Sequence, residues 1–437
     1  MSVNQEQKSL PISKLAAYLG ITLTFQLIGF IATFVYSSYF NRTNTFADSF
    51  LFRSSDSPPT PGGFKRPLPF GNHFFGDYLW VYAEIKQVGA GGYFGASQLF
   101  LLVSSKLPYY LSLVGLLVTG GFLMYLAARS LLRDLGLPEQ LLLLGGGFVF
   151  CQPVLLAMDR GQIHFLLFAL LLLGLSLAMS DAGNRTWGAI LLAAAISMKL
   201  APVFFLLLFV KKKHWTELKV SLITLIGFLL LPIAYLPSGF GAWKYQLGLS
   251  ENNKEMSMMY NSLQYFTDNV AHNNSFKLLS YYLSQKDSIV GEVGEVVFKN
   301  YFWFAGLLGI LLCWLIVQKS VSLFESVLLM AISSSLLIPI AGSYTLTLFA
   351  LPVVVVLADK DFGFNRLNII YCCYIGVVLM PKQIALGFAP FQNTSMTFGG
   401  ILNPGLSLLI VGFIAYRCFY MSREKTLVRR HTSGSAI

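Results

Sequence analysis

The chain has 437 residues, of which 55% are hydrophobic and 12% are charged, and its formal net charge is +11. Soluble domains carry roughly 25% charged residues, so this composition supplies too little polar surface for a water-soluble globule of this length. The mean hydropathy of +0.64 indicates an integral membrane protein without an independent soluble domain. Its positive charge is typical of lysines and arginines that face anionic lipid headgroups. No basic run alternates with aromatic residues, so we expect no nucleic-acid partner.

Apolar runs recur along the whole chain. A membrane-spanning helix needs about 20 apolar residues, and runs such as LSLVGLLVTGGFLMYLA lack the alternation of a barrel strand. We predict an all-α polytopic bundle of about twelve transmembrane helices, with residues 1–437 as a single integral membrane domain. The first run lacks a small-residue cleavage pattern, so we expect a retained span rather than a signal peptide. The predicted spans are 15–40, 107–128, 139–157, 163–180, 187–198, 200–210, 217–236, 300–318, 321–340, 343–358, 366–381 and 400–420.

The runs 187–198 and 200–210 can form a single helix or two short helices that meet near Lys199. Pro202 and the residue before it disfavour a straight helix. Two helices also place both termini and most basic positions on one side, as the positive-inside rule requires. These positions are Arg129, Arg133, Arg185, Lys211, Lys212, Lys213, Lys319, Lys360, Arg366, Arg423, Lys425, Arg429 and Arg430. We therefore predict a multi-pass protein of the cell (plasma or inner) membrane, with cytoplasmic termini and a cytoplasmic tail at about 421–437.

Two long loops, at about 41–106 and 237–299, fall on the external side in this topology. Loops of this length on a compact bundle are more often functional than connecting. We predict a helix from about Asp77 to Val88 in the first loop and helical patches near 261–285 in the second. The polar residues at outer loops and outer helix ends collect on the same side, which indicates a site at the external interface. They are Asp77, Asp159, Arg160, Gly161, Gln162, Lys199, Asn273, Asn274, Ser275, Ser343 and Tyr344.

Each charged candidate has a structural and a functional interpretation. Asp77 begins a predicted helix, so it can be an N-cap or a general base that deprotonates an acceptor hydroxyl. Arg160 can pair with Asp159 or anchor the interface, or it can bind a phosphate in bidentate fashion. Lys199 can extend its ammonium to the interface or hold a phosphate as a point charge.

The histidines and cysteines give no metal signature. His164, at a helix start, has its simplest interpretation as a polar packing residue. No set of His, Asp and Glu residues has metal-ligand spacing, so we expect neither a metal nor a cofactor. The cysteines stand in apolar segments and are interpreted as packing residues; they are Cys151, Cys313, Cys372, Cys373 and Cys418.

The block from residue 158 to 215 has a distinctive order of motifs. Gly161-Gln162 opens an apolar helix, a small-residue helix follows, and then come Lys199-Leu200-Ala201-Pro202 and a basic exit from Lys211 to Trp215. In this order it resembles glycosyltransferase family 87, membrane mannosyltransferases of the GT-C superfamily that use polyprenyl-phosphate sugars. Upstream, GDYLWVYAEIKQVGAGGYF is similar to the family segment with the catalytic Asp. Downstream, AHNNSFKLLSYYL and IPIAGSYTLTLFALP are similar to its Asn-x-Ser segment and its late outer turn.

The resemblance implies a GT-C-like bundle and a hexosyltransferase (EC 2.4.1.-). It would move a hexose, with mannose expected, from a polyprenyl-phosphate donor to a lipid or glycan acceptor on the external face. Asp77 would be the general base. The substrate-binding residues would be Arg160, Gln162, His164, Lys199, Asn274 and Tyr344. This chain departs from the family pattern at two places: the family often has Asn where His164 stands, and a His in the late turn where Ser343 and Tyr344 stand.

Two other functions fit some of the same features. Broken helices and buried charges also mark the substrate pathways of transporters, so a transporter or flippase for a lipid-linked glycan is the alternative. A ligase that transfers a finished glycan between carriers is a third. Transporters usually show internal repeats and a site near the middle of the membrane, whereas this chain has no evident repeat and its polar candidates lie at one interface.

Overall fold

The computed structural model describes residues 3–39, 78, 82, 95–133, 136–145, 151–159, 161–180, 182–235, 274–286, 288–338, 341, 343–359, 361–382 and 397–433. Every element of more than one residue in these ranges is a helix, as predicted. The first nine α-helices are α1 (Val3–Tyr39), α2 (Gly95–Ser104), α3 (Tyr109–Leu131), α4 (Leu137–Leu142), α5 (Gln152–Asp159), α6 (His164–Ala178), α7 (Ala182–Met198), α8 (Leu207–Lys211) and α9 (Trp215–Tyr235). The others are α10 (Phe276–Ser284), α11 (Ile289–Lys299), α12 (Tyr301–Val317), α13 (Leu323–Leu336), α14 (Val353–Ala358), α15 (Arg366–Leu379) and α16 (Phe398–Ser433). Two 3₁₀ helices, η1 (Ala201–Leu206) and η2 (Ser343–Ala350), precede α8 and α14.

Among these helices, three are long and apolar enough to cross a bilayer, over Ser13–Tyr36, Tyr109–Leu131 and Phe398–Tyr420. The bent pair α11 and α12 adds a fourth span if it is counted as one. Helices stand at the predicted runs, but many are shorter than a full span, and α4 and α5 share the run 139–157. The apolar helices fit a membrane protein, while the number twelve and the two external loops stay predictions. Of the helix predicted from Asp77, only Tyr78 and Tyr82 lie within the described residues, and both are helical.

Burial divides the helices into a central group and a peripheral group. In α13 every residue after Leu323 is buried, and α6 is buried along almost its whole length. In contrast, α12 exposes large apolar side chains, including Phe302 at 70% and Trp303 at 78%. Exposed apolar area on this scale requires lipid rather than water as the solvent.

The antiparallel helices α6 and α7 pack closely because glycine occupies their contact. A Cβ added at Gly188 of α7 would lie 2.5 Å from the backbone nitrogen of Ala178 and 2.7 Å from the carbonyl oxygen of Gly174. Leu192, one turn further along α7, packs over Gly174. Small residues at such contacts let helix backbones approach, and this contact sets the alignment of the start of α6 with the end of α7.

Basic side chains gather at one end of the bundle. The Lys211 ammonium donates to the carbonyl oxygens of Gln318 and Val321, both at 2.8 Å. Arg185 lies 3.0 Å from His214. At the same end, Lys14 donates to the carbonyl oxygen of Asp359, and Arg417 pairs with Glu325. Of these basic residues, Arg185 and Lys211 belong to the predicted common side, and which side faces the cytoplasm stays a prediction.

Candidate active site

The Gly161-Gln162 motif lies between the end of α5 and the start of α6. Gly161 has a φ of 62°, the left-handed conformation that glycine adopts without strain. The Gly161 N–H donates to the Met158 carbonyl and the Gln162 N–H donates to the Ala157 carbonyl, at 3.0 and 2.8 Å. These two bonds form a Schellman motif. Gln162 is buried. It lies in the turn that places His164 at the first position of α6.

Lys199 stands in a break between helices, as the sequence predicted. Helix α7 ends at Met198, and η1 begins at Ala201 with Pro202 in its first turn. Proline suits a first helical turn and disfavours a helical residue before it. The break therefore turns the Lys199 side chain out of the α7 helix and toward the start of α6.

The structure brings three of the predicted site residues together. The Lys199 Nζ lies 2.9 Å from His164 Nε2 and 5.4 Å from the centroid of the Tyr344 ring. The ring centroids of His164 and Tyr344 are 4.3 Å apart. A cation within about 6 Å of an aromatic face is attracted to it. We call these residues the cationic cluster; in the part of the chain that the structure describes, its lysine forms no ion pair.

Asn274 joins several segments next to the cationic cluster through hydrogen bonds. It is buried, its N–H donates to the Ala341 carbonyl at 2.8 Å, and its side-chain amide lies 3.4 Å from Ser343 Oγ. Its Oδ1 accepts from Asn403 Nδ2 at 2.8 Å. Because Ser343 precedes Tyr344 in η2, this node ties the start of α10 and the first turns of α16 to the ring that packs on His164.

Asn403 is a residue of this node that the sequence analysis missed. It lies inside the predicted span 400–420, next to Pro404, and it is buried. An amide within an apolar span is a known sign of a functional or interhelical polar contact. This sign was available in the sequence, but it does not identify Asn274 as the partner.

Asp77 and Arg160 lie outside the described residues, so their roles stay predictions. Tyr78, the residue after Asp77, is buried, and its hydroxyl forms hydrogen bonds with Ser104 and Ser112. Tyr82 donates to the Leu107 carbonyl at 2.6 Å. Both tyrosines are therefore fixed at the junction of α2 and α3.

That junction can be located relative to the cationic cluster. The Ala96 N–H at the start of α2 donates to Ser197 Oγ, two residues before Lys199, at 3.0 Å. Ser104, at the other end of α2, is eight residues further on, a rise of about 12 Å at 1.5 Å per residue. Tyr78 is thus held about one short helix away from Ser197.

No three His, Cys, Asp or Glu side chains within the described ranges are close enough together to hold a metal ion. The chemistry that the described site offers is that of a lysine ammonium, an imidazole, a phenol ring and amides. A partly buried ammonium without a carboxylate partner is costly unless an anion completes it. The cluster is therefore suited to an anionic ligand group.

The apolar helices and this recessed cation define the class: a helical membrane protein with a polar site at the end opposite its basic loops. The comparison with known families then identifies the family. A model of glycosyltransferase family 87 matches residues 96–339, more than half of the chain, so the chain belongs to that family, and it is a glycosyltransferase by family. The match includes Gln162, His164, Lys199 and Asn274, and it excludes Asp77 and Tyr344. No curated protein and no solved structure matches the chain.

Proposed function

We propose that this glycosyltransferase moves a hexose, with mannose as the expected sugar, from a polyprenyl-phosphate donor to a lipid or glycan acceptor. The reaction takes place on the external face of the cell membrane, both termini are cytoplasmic, and no cofactor or metal takes part. Asp77 acts as the general base. The substrate is held by Arg160, Gln162, His164, Lys199, Asn274 and Tyr344.

The observation that carries this proposal is the position of Lys199. Its ammonium has three donors, and among the described residues only His164 accepts from it. The remaining donors, and a charge that no described carboxylate pairs with, suit the oxygens of a phosphate group. A lipid-phosphate sugar can place its phosphate at the depth of Lys199, at the end of a membrane helix. A soluble nucleotide sugar would have to leave water to reach the same depth.

The proposed step is a single displacement. The acceptor hydroxyl oxygen attacks the anomeric carbon, the bond from that carbon to the phosphate oxygen breaks, and polyprenyl phosphate leaves with the bonding electrons. The hydroxyl proton passes to the Asp77 carboxylate. Charge that develops on the departing phosphate is stabilised by Lys199 and Arg160, and the configuration at the anomeric carbon inverts.

The position of Tyr78 supports the assignment of Asp77. Its hydroxyl is bound at the junction of α2 and α3, and α2 reaches back to Ser197 beside Lys199. The two ends of α2 are about 12 Å apart. This separation is compatible with a sugar bound between the Asp77 carboxylate and the cationic cluster.

The alternative, a transporter or flippase for a lipid-linked glycan, is favoured by one observation. The break between α7 and η1 leaves a lysine between helix segments, as discontinuous helices do in transporters. The two functions differ in their products, because only the enzyme releases polyprenyl phosphate.

Purified protein in lipid nanodiscs, given a polyprenyl-phosphate hexose and a lipid acceptor, tests the proposal. We expect release of polyprenyl phosphate and a glycosylated acceptor with inverted anomeric configuration. Movement of the intact donor across proteoliposomes without cleavage would establish the flippase instead.

A further inference from the structure

The N-terminal end of α6 is electropositive, and its N-cap residue supplies no capping side chain. Its N-cap residue is Ile163, whose side chain offers no acceptor to the first-turn N–H groups. The Phe165 N–H donates to the Gln162 carbonyl at 3.0 Å, the other first-turn N–H groups have no intrahelical acceptor, and the helix dipole adds partial positive charge at this end. Helix α6 has 15 residues and is buried along most of its length. An anion at this end would be stabilised by the remaining N–H donors and by the helix dipole.

A second, independent observation at this helix end points to a ligand. The His164 side chain is only 3% exposed, and its Nδ1 is buried without a hydrogen-bond partner in the described part of the chain. The other ring nitrogen, Nε2, lies 2.9 Å from the Lys199 ammonium. An ammonium only donates, so Nε2 must accept, and the neutral imidazole then carries its proton on Nδ1. The result is a buried N–H donor for which the described residues supply no acceptor.

We infer that the N-terminus of α6 is an anion-binding site in which the His164 Nδ1–H donates to an oxygen of a phosphate group. Lys199 contributes in two ways: its charge attracts the anion, and its bond to Nε2 holds His164 in the donating tautomer. Packing of the Tyr344 ring at 4.3 Å between centroids restrains the plane of the imidazole. The assignment of the phosphate to the lipid-linked donor rests on the proposed function; the anion site itself does not.

The geometry of the amino-acid side chains allows a sharp test. In His164→Asn, the amide nitrogen takes nearly the place of Nδ1, so the donor to the ligand is kept. In His164→Gln, the amide reaches the place of Nε2, so the contact with Lys199 is kept and the donor to the ligand is lost. A role in packing or in holding Lys199 predicts the opposite order of the two variants.

The affinity of the full-length protein for short-chain polyprenyl phosphate is measured in detergent by calorimetry, with inorganic phosphate and phosphate-free polyprenol as separate ligands. We expect His164→Asn to bind polyprenyl phosphate within about threefold of wild type. We expect His164→Gln to bind it about tenfold or more weakly, because a hydrogen bond to a charged group is lost. The matched control is His214→Gln at the opposite end of the bundle, where the affinity should not change.

Binding of inorganic phosphate as well as, or instead of, polyprenyl phosphate supports the anion site and identifies which source of phosphate it accepts. Equal affinity for phosphate-free polyprenol overturns the inference, and so does wild-type affinity in His164→Gln. If both variants unfold, ¹⁵N-histidine NMR of the wild-type protein decides. The His164 signals should show protonated Nδ1, and the Nδ1 proton should shift when polyprenyl phosphate is added; a protonated Nε2 or an unmoved signal at saturation overturns the inference.

The two proposals fail in different ways. Phosphate binding with the expected variant order but no hexose transfer rejects the transferase mechanism and leaves the anion site standing. Transfer that proceeds at wild-type donor KM in His164→Gln rejects the anion site as described and leaves the transferase standing.

Discussion

Lys199 Nζ lies 2.9 Å from His164 Nε2, although 35 positions separate the two residues in the chain. The contact joins the break after α7 to the first residue of α6, and it exists because glycines at the α6–α7 contact align these two ends. A lysine and a histidine that each have ordinary explanations alone thus form a unit with one charge and one ring N–H that no described residue accepts.

Removal of the Lys199 charge should weaken donor binding. We expect Lys199→Gln to raise the KM for the polyprenyl-phosphate sugar about tenfold or more, because a hydrogen bond to a charged group contributes about 1.5–3 kcal/mol. The donor KM of Lys199→Arg should lie between those of wild type and Lys199→Gln, because arginine keeps the charge but not the compact geometry of the ammonium. Initial rates over a range of donor concentrations measure this. The control is Lys219→Gln on the exposed face of α9, and an unchanged KM in Lys199→Gln would contradict the assignment.

Asp77→Asn should abolish measurable transfer while expression and folding stay at wild-type levels. General base catalysis contributes about 10²–10⁴-fold, so we expect a loss of at least about a hundredfold in kcat with little change in donor KM. The measurement is product formation per folded protein in nanodiscs. Asp361→Asn, at an exposed acid at the end of the bundle where the basic side chains gather, should keep wild-type kcat, and normal turnover in Asp77→Asn would reject Asp77 as the base.

The ion pair between Glu325 and Arg417 should be important for stability. The Glu325 carboxylate accepts from the Ser322 N–H in the capping box of α13, accepts from the Tyr371 hydroxyl at 2.7 Å and pairs with Arg417 at 2.6 Å, with only 2% of its side chain exposed. Loss of one partner from a buried pair costs about 3–5 kcal/mol, so Glu325→Gln should lower the free energy of unfolding by about 3 kcal/mol. Reversible unfolding in mixed micelles checks this for Glu325→Gln, Arg417→Gln and the double variant. Additive effects of the two substitutions would show that the pair contributes little.

The two ends of the bundle should differ in chemical accessibility. In a cysteine-free background, Lys212→Cys and Lys319→Cys should react with a membrane-impermeant maleimide only from the cytoplasmic side. Leu200→Cys, in the break beside Lys199, should react only from outside. Intact cells and inverted vesicles separate the two sides. Modification of position 212 from outside would overturn the predicted orientation, and modification of positions 200 and 212 from one side would contradict the arrangement of the helices.

Gly161→Ala should destabilise the protein, because a side chain in the left-handed region costs about 1–2 kcal/mol and Gly161 has a φ of 62°. We also expect a raised donor KM, since this turn positions the start of α6. The control is Gly183→Ala in the first turn of α7, where an added Cβ meets nothing within 4 Å. Thermal denaturation compares the two variants, and equal midpoints would show that the turn tolerates a side chain.

The sequence was sufficient for the features that local chemistry controls. Pro202 predicts the break at Lys199, the apolar runs predict the positions of the helices, and the basic positions grouped by the positive-inside rule include Arg185 and Lys211, which lie at one end of the bundle. The number of spans was harder, because a hydropathy window does not show that the described part of a run such as 139–157 belongs to two helices, Leu137–Leu142 and Gln152–Asp159.

The contacts of the site were beyond the sequence because they join distant segments. The node of Asn274, Ser343 and Asn403 connects residues up to 129 positions apart, and only the packing of α10, η2 and α16 determines that they meet. The same holds for His164, since an isolated histidine at a helix start gives no sign of which ring nitrogen is occupied.

The bend at Asn300 determines how α11 and α10 would lie relative to a membrane. Helices α11 and α12 meet there at 87°, so when α12 stands upright in a bilayer, α11 runs along the surface, with Val293 and Val296 exposed. Gly294 packs directly on the backbone of α10, so α10 is held against α11 at the same boundary. Asn274, two residues before α10, would then lie close to the membrane surface.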